Sequence, residues 1–214
     1  MAEQKNLTLR VYDNIKQMMV NYDIVPGQRL VFVDLAKELG VSRTPVNNAL
    51  SILAKEGYLD FIPNQGYSVH KLTREEAESL YEIKVLMELG SIDNAIKLAT
   101  PRKLAALEEK KNRYASSVKS HVYRHLFVLD MEFHAAIGEM VNNTYFVDIY
   151  KDIYQRIFLR FRTEHLETPR LFEIIEEHED LYNAIITKNS KIAKKLIKEH
   201  SEFSMANLFP IIFD

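Results

Sequence analysis

The hydrophobic pattern of this chain changes its period twice, and the two changes constrain the fold more than any single motif. Apolar residues recur at helical spacing up to Gly57, and they do so again after Thr73. Between these points, residues 58–62 and 67–70 alternate like strands on either side of the turn sequence Pro63–Gly66. We therefore predict a mainly α protein in which three helices and one β-hairpin precede a long helical segment.

The first helical segment contains a helix-turn-helix. Its second helix, from about Val33, is predicted to end at Gly40, a residue that readily takes the left-handed conformation. A third helix follows Ser42, a favourable N-cap residue, with Pro45 in its first turn. Together with the hairpin, these helices predict a winged helix-turn-helix DNA-binding domain over residues 1–73.

The second helical segment, residues 74–214, shows no strand pattern. Thr73 and Glu76 have the spacing of a capping box, which places a helix start and the domain boundary here. Short connections between the helices predict an all-α antiparallel helical bundle of about six helices. The predicted helices lie near residues 74–98, 101–118, 120–141, 143–164, 170–187 and 190–208.

Composition excludes several kinds of site. The 214 residues include no cysteine, so disulfides and thiolate ligands are impossible and any metal would need nitrogen and oxygen ligands. A polar N-terminus predicts no signal peptide, and no apolar run reaches the roughly 18 residues of a membrane span. We therefore expect a cytoplasmic protein. With a net charge of −2, DNA binding would depend on local placement of positive charge.

The start of the third helix carries the candidate DNA contacts. Ser42, Arg43 and Thr44 stand where backbone N–H groups and the helix dipole favour phosphate, and Arg43 could instead read a guanine edge. Asn47 could form a bidentate pair with adenine. In isolation, Ser42 could be only a cap and Arg43 only a solvated side chain, but the complete helix-turn-helix-wing order favours DNA contact.

Four residues of the second segment form a candidate metal site. Asp130 and His134 are spaced i,i+4, which puts them on one face of a helix. His178 and His200 lie 22 positions apart around the polar break at residues 188–190, so a helical hairpin would bring them level. One carboxylate and three imidazoles suit several divalent ions.

Spacing alone does not identify these ligands. A single helical histidine is usually a surface or hydrogen-bonded residue, and His70, His121, His125 and His165 are interpreted so. His121 and His125 are also spaced i,i+4. The apolar sequence around Asp130 and the predicted hairpin favour the first set.

The first domain resembles the GntR family of bacterial transcription regulators. This resemblance implies that Ser42, Arg43 and Thr44 contact the operator and that Gly66 lets the wing tip approach the minor groove. Two positions depart from the family pattern: Asn47-Asn48 replaces a common Arg-Glu pair, and Val33 stands where many members have arginine. These departures suggest a different operator or a lower affinity. The resemblance rests on Val25–Leu30, Leu35–Val46, Ala49-Leu50, Leu53, Glu56-Gly57 and Pro63–Gly66.

The second domain resembles the FCD effector-binding and dimerisation domain of the FadR subfamily, and six helices place it near the VanR-like branch. The resemblance implies a divalent metal on Asp130, His134, His178 and His200, with zinc as first choice and nickel, manganese or iron as alternatives. It also implies a small carboxylate effector bound at the metal. The matching motifs are Tyr81-Glu82-Ile83, Glu88, Asp130–His134, Asn142-Asn143, Glu177-His178 and His200.

Three cations are candidate contacts for that carboxylate. Lys84 occupies a place where the family commonly has arginine, so it would offer a point charge in place of a planar fork. Arg156 and Arg160, one turn apart, could supply further contacts, although a solvated basic helix face fits them equally well.

The sequence thus predicts a ligand-responsive DNA-binding transcription regulator, a repressor that binds a palindromic operator as a homodimer. One alternative is a metal-dependent enzyme with an accessory DNA-binding head, using Glu132 or Glu177 as general base. Each glutamate lies within two positions of a ligand in sequence, however, and should point away from that ligand around its helix, by at least about 100°. The other alternative is a regulator whose metal is purely structural.

Overall fold

The computed structural model of the chain describes residues 2–120, 126–160 and 168–213. His121, His125 and His165 lie outside the described residues, as do parts of the helices predicted over 120–141 and 143–164. The described residues form two compact units. The first comprises residues 2–72 together with 156–160, and the second comprises the remaining described residues from Thr73 onward.

The first unit contains the predicted winged helix-turn-helix. Strands β2 and β3 form the predicted hairpin, and β1 pairs antiparallel with β3 to give the sheet order β1-β3-β2. The sequence did not predict β1, because two residues are too few to show a strand alternation. The elements are α1 (Ala2–Val20), β1 (Arg29–Leu30), α2 (Phe32–Glu38), α3 (Arg43–Lys55), β2 (Leu59–Ile62) and β3 (Gly66–Val69).

The turn between α2 and α3 has the predicted backbone. Gly40 has a φ of +65°, which confirms the left-handed residue that follows α2. Ser42 occupies the N-cap position of α3 in an extended conformation, but its side chain forms no capping hydrogen bond. The serine hydroxyl therefore does not cap α3 in this structure.

The six predicted bundle helices are present within the described residues, and they belong to the second unit except for residues 156–158 at the end of the fourth of them. The last helix runs beyond the predicted end at residue 208 despite Pro210, because Leu208 and Phe209 are buried and Phe209 packs edge-on against Tyr81. None of the described helices is long and apolar enough to cross a membrane. The helices are α4 (Arg74–Lys97), α5 (Pro101–Lys119), α6 (Leu126–Glu139), α7 (Thr144–Phe158), α8 (Thr168–Ile186) and α9 (Ser190–Phe213).

The core of this unit lies where five of the helices meet. Its buried side chains come from α4, α5, α6, α8 and α9, and Phe133 of α6 is completely buried. The predicted α8–α9 hairpin is present: Lys188 turns the chain with a φ of +56°, and the Asn189 side chain accepts a hydrogen bond from the Ile192 amide at the start of α9. This hairpin sets the relative heights of the two helices that carry His178 and His200.

The predicted capping box at the start of α4 is confirmed. Thr73 Oγ1 accepts from the Glu76 amide at 3.2 Å, and the Glu76 carboxylate accepts from the Thr73 amide at 3.0 Å. We expect Thr73→Ala to lower the free energy of unfolding by about 1 kcal/mol, because the Glu76 amide loses its side-chain acceptor. Chemical denaturation measures the loss. Thr73→Ser keeps the hydroxyl and should stay close to the parent protein, and equal losses in the two variants would refute the capping role.

Candidate functional site

Four side chains from three helices of the second unit converge at one point. Asp130 and His134 lie one turn apart on α6, His178 comes from α8 and His200 from α9. The three imidazoles are buried, and the Asp130 side chain is 13% exposed. The i,i+4 spacing and the helical hairpin therefore have the geometric result that the sequence predicts.

The distances between the facing atoms suit a metal ion. Asp130 Oδ1 lies 3.0 Å from His178 Nε2, 3.8 Å from His134 Nε2 and 3.9 Å from His200 Nε2. His134 Nε2 and His200 Nε2 are 3.2 Å apart, and all four donor atoms lie within 4.8 Å of one another. Ligands about 2.0–2.1 Å from a tetrahedral ion are separated by roughly 3.3 Å. The four atoms thus surround a space of the right size for a divalent cation.

The outer nitrogen of His200 is held by a carboxylate. His200 Nδ1 donates to Glu177 Oε2 at 2.6 Å, which leaves the lone pair of Nε2 facing the cluster. Arg170 donates to both Glu177 oxygens, at 2.9 Å from Nη2 to Oε2 and through a second contact from Nη1. Burial acts to raise the pKa of Glu177, but the hydrogen bonds from His200 and Arg170 lower it below its usual value. Such a carboxylate partner is a common feature of metal-bound histidines.

The outer nitrogen of His134 faces a second carboxylate. His134 Nδ1 lies 3.0 Å from Glu88 Oε1, which also accepts from the Tyr150 hydroxyl and pairs with Lys84 Nζ at 3.1 Å. Burial acts to raise the pKa of Glu88, but the charges of Lys84 and His134 outweigh it and the pKa is lowered. Glu88 is therefore an anion inside the bundle, and it contacts His134, Tyr150 and Lys84 at once.

His178 is oriented by aromatic packing. Its ring stacks on Phe133 with centroids 4.2 Å apart and meets the edge of Tyr114 at 4.9 Å. Its Nδ1 is buried without a hydrogen-bond partner among the described residues. Burial lowers the pKa of the His178 imidazole despite the neighbouring Asp130, so the ring favours the neutral form that binds metals.

Charge in the cluster is matched to cation binding. Burial lowers the pKa of His200, although Glu177 acts in the opposite direction. Burial acts to raise the pKa of Asp130, but the hydrogen bond from His178 and the nearby imidazoles lower it. The ionised carboxylate of Asp130 and the neutral imidazoles of His178 and His200 present one negative charge and two lone pairs to the centre, and a divalent ion would satisfy both.

Two members of the cluster, Asp130 and His200, form part of the wall of a cavity of about 40 Å³. The cavity holds only a small molecule, because a single water molecule already needs roughly 10–15 Å³ of such a volume. Cations, hydroxyls and apolar groups all contribute to its wall. The lining residues are Tyr81, Lys84, Tyr114, Leu126, Phe127, Asp130, Tyr154, Arg170, Ile174, His200, Ser204 and Leu208.

In the first unit, α3 presents a polar face to solvent. Ser42, Arg43, Thr44 and Asn47 are all exposed, whereas the opposite face of the helix is buried. Gly66 opens β3 at the end of the hairpin turn with a φ of +90°, which favours glycine. The buried residues of α3 are Pro45, Val46, Ala49, Leu50 and Leu53.

Comparison with known families decides the identity of the chain. Residues 7–69 match the family described as bacterial regulatory proteins, gntR family, and residues 79–203 match the FCD domain. The FCD match alone covers more than half of the chain. The chain belongs to the GntR family, in its FadR/FCD subfamily.

Named relatives agree with this assignment. The HTH-type transcriptional regulator McbR of Escherichia coli K12 is 25% identical over 206 residues, 95% of this chain and 93% of McbR. The solved structure of E. coli McbR/YncC has a TM-score of 0.83 and 25% identity, and covers 95% of this chain and 97% of that one. YdhC of Bacillus subtilis 168, an uncharacterized HTH-type transcriptional regulator, is 24% identical over 193 residues, 90% of this chain and 86% of YdhC. The present protein is accordingly a DNA-binding transcription regulator.

In this GntR-family regulator, the three cations predicted to contact an effector do not all lie at the cavity. Lys84 lines the cavity, and its contact with an effector stays a prediction. Arg156 and Arg160 belong to the first compact unit and are not among the lining residues. Arg160 donates to the Gly57 carbonyl at 3.3 Å, and Arg156 lies over the Tyr58 ring. A role of either arginine in effector binding stays a prediction.

Sequence reasoning missed Arg170 as a cavity residue. Its position in α8, eight residues before His178, gives two helical turns and thus a similar helix face. That spacing was the available signal, but the neighbouring Glu173 and Glu177 suggest an ordinary surface ion pair. Burial of the Arg170 side chain distinguishes the two interpretations only once the structure is known.

The two glutamates considered as general bases have other partners. Glu132 pairs with Lys110 at 3.1 Å and with Arg113 at 2.8 Å. Glu177 is held by Arg170 and by the outer nitrogen of His200. Neither carboxylate is among the cavity-lining residues of the described chain, so the geometry gives no support to a hydrolytic centre.

Proposed function

We propose that this protein is a repressor whose affinity for its operator is changed by a small carboxylate bound at a metal ion. The observation that carries the proposal is the convergence of Asp130, His134, His178 and His200 beside a small cavity. Two of these ligands, Asp130 and His200, and two cations, Lys84 and Arg170, lie in the cavity wall. A metal buried only to staple the helices would need no cavity beside it.

The four side chains would hold a divalent ion, with zinc as first choice and nickel, manganese or iron as alternatives. When bound, the ion would supply a Lewis-acidic centre whose remaining positions attract a hard oxygen anion. Glu177 would keep the lone pair of His200 directed inward, and Phe133 would fix the plane of the His178 ring. These contacts preorganise the site before an effector arrives.

DNA recognition would use the exposed start of α3. We infer that Ser42 and Thr44 position the helix on phosphates, that Arg43 and Asn47 read base edges, and that Gly66 allows the wing to approach the minor groove. A homodimer would present two such helices to a palindromic operator. Each chain of the dimer would bind one molecule of effector, and the two molecules together would change the contacts at both half-sites.

The effector would act through the helix that begins at the domain boundary. Helix α4 starts directly after the Thr73 cap and contributes Tyr81 and Lys84 to the cavity. An acid that contacts these side chains can favour one position of α4 over another. Operator affinity changes only if the acid binds the two arrangements with different free energies.

Thermal unfolding with and without metal tests this function. We expect purified, metal-loaded protein to gain stability in millimolar short-chain carboxylates, and we expect that gain to disappear after chelation. At a concentration 100 times its dissociation constant, an acid should stabilise the folded state by about 2.7 kcal/mol. Stabilisation that survives chelation would contradict metal-assisted binding. Metal-dependent stability that no acid changes would instead indicate a structural metal.

A further inference from the structure

We propose that the cavity selects a singly charged carboxylate and discriminates against di- and tricarboxylates. This inference rests on the proposed function and specifies the charge class of its effector. It follows from the way in which the two cations of the cavity wall are already paired. Each cation has its own buried or half-buried carboxylate partner within the bundle.

The first cation is neutralised on its own helix. Lys84 Nζ lies 3.1 Å from Glu88 Oε1, and the two side chains are only 4% and 7% exposed. Solvent screening between them is therefore weak, and the pair has no net charge at short range. Glu88 also accepts from the Tyr150 hydroxyl, so Lys84 offers the effector a hydrogen-bond donor whose charge Glu88 already compensates.

The second cation is also neutralised on its own helix, α8. Both Nη atoms of Arg170 donate to Glu177, and Nη1 also lies 3.2 Å from Glu173 Oε2. The planar fork that would otherwise clamp a carboxylate is thus occupied by a residue of the protein. The Arg170 Nε is buried without a partner among the described residues, so one donor of this guanidinium remains for a ligand or water.

The remaining charge in the cavity matches a single anion. A divalent ion would contribute two positive charges and Asp130 one negative charge, and imidazoles that bind a metal do so in their neutral form. One carboxylate would neutralise the difference. The other lining residues of the described chain are tyrosines, a serine and apolar side chains, so a second carboxylate would be buried without a counter-ion.

A matched pair of acids tests the charge class directly. Butyrate and succinate have similar lengths, but succinate carries a second carboxylate where butyrate has a methyl group. Isothermal titration of full-length, metal-loaded protein at constant ionic strength should give butyrate a dissociation constant at least about tenfold lower than that of succinate. Metal content measured after each titration checks that neither acid has removed the ion.

Removing one internal partner should shift this preference. In Glu88→Gln or Glu177→Gln, a cavity cation loses its carboxylate, so succinate should gain affinity relative to butyrate by about tenfold. Using the ratio within one variant cancels any change in metal affinity that both acids share. Glu173→Gln is the matched control, because Glu173 contacts the same Arg170 but its side chain is 61% exposed. Its ratio should equal that of the parent protein.

The outcomes separate this inference from the function on which it rests. Tighter or equal binding of succinate by the parent protein would overturn the inference and leave carboxylate sensing intact. An unchanged ratio in both partner variants would also overturn it. Binding of neither acid, nor of their shorter homologues propionate and malonate, to metal-loaded protein would contradict both proposals.

Discussion

Replacing His178 with alanine is expected to reduce the divalent metal of the purified protein from about one ion per chain to a small fraction of that. His178 supplies the nitrogen nearest to Asp130 Oδ1, at 3.0 Å, and it is the single ligand that α8 contributes. Loss of one of four ligands leaves three, and even changes behind the ligands commonly cost 10- to 100-fold in metal affinity. Elemental analysis after dialysis measures the metal content.

A histidine in the first unit provides the control for this change. His70 is hydrogen-bonded to Asp60 and belongs to the other compact unit, so His70→Ala should keep the metal. Full metal content in a folded His178→Ala protein would refute the ligand assignment. In a variant that has lost its metal, a normal effector response with lowered stability would favour the structural-metal alternative. Loss of the response in a folded dimer would support sensing.

Arg43→Ala is expected to abolish detectable retardation of the operator while leaving the fold and metal content unchanged. Arg43 is exposed at the start of α3, and the buried side of that helix lies on the opposite face. A bidentate contact to guanine is worth about 1–3 kcal/mol, and a dimer loses it at both half-sites. Gel retardation and circular dichroism together measure the binding and the fold.

The control for Arg43 is a lysine at the other end of the same helix. Lys55→Ala removes one positive charge from the last turn of α3 but leaves its N-terminus intact. We expect this variant to keep most of the operator affinity, because residues at the start of a recognition helix make the base contacts. Similar losses of operator affinity in the two variants would show that the overall charge of the DNA-binding domain determines binding. The assignment of base contacts to the start of α3 would then be wrong.

Local sequence signals predicted most of the fold. Gly40, the Thr73–Glu76 capping box and the strand alternation after Gly57 each act over a few residues, and the structure confirms all three. The short strand β1 was missed because its existence depends on pairing with β3, which lies far along the chain. The last helix runs past its predicted end and through Pro210, since burial of the neighbouring Leu208 and Phe209 outweighs the local cost of proline.

The same contrast holds for the candidate site. The structure brings Asp130, His134, His178 and His200 together, as helical spacing and the hairpin predict. The carboxylates behind the imidazoles were not predicted as partners, because the His134–Glu88 and His200–Glu177 contacts join different helices. The burial of Arg170 was equally unpredictable. Burying a cation has an energetic cost, and this cost is offset by partners that only the tertiary structure supplies.

The most direct test of metal-assisted sensing is the operator affinity of one preparation under three conditions. Fluorescence anisotropy would follow a labelled operator, selected from random duplexes, with metal-loaded protein alone, with butyrate, and with butyrate after chelation. Our account predicts that butyrate weakens operator binding by about 5- to 150-fold and that chelation removes this effect. An operator affinity that butyrate leaves unchanged, or that it changes equally after chelation, would contradict the account.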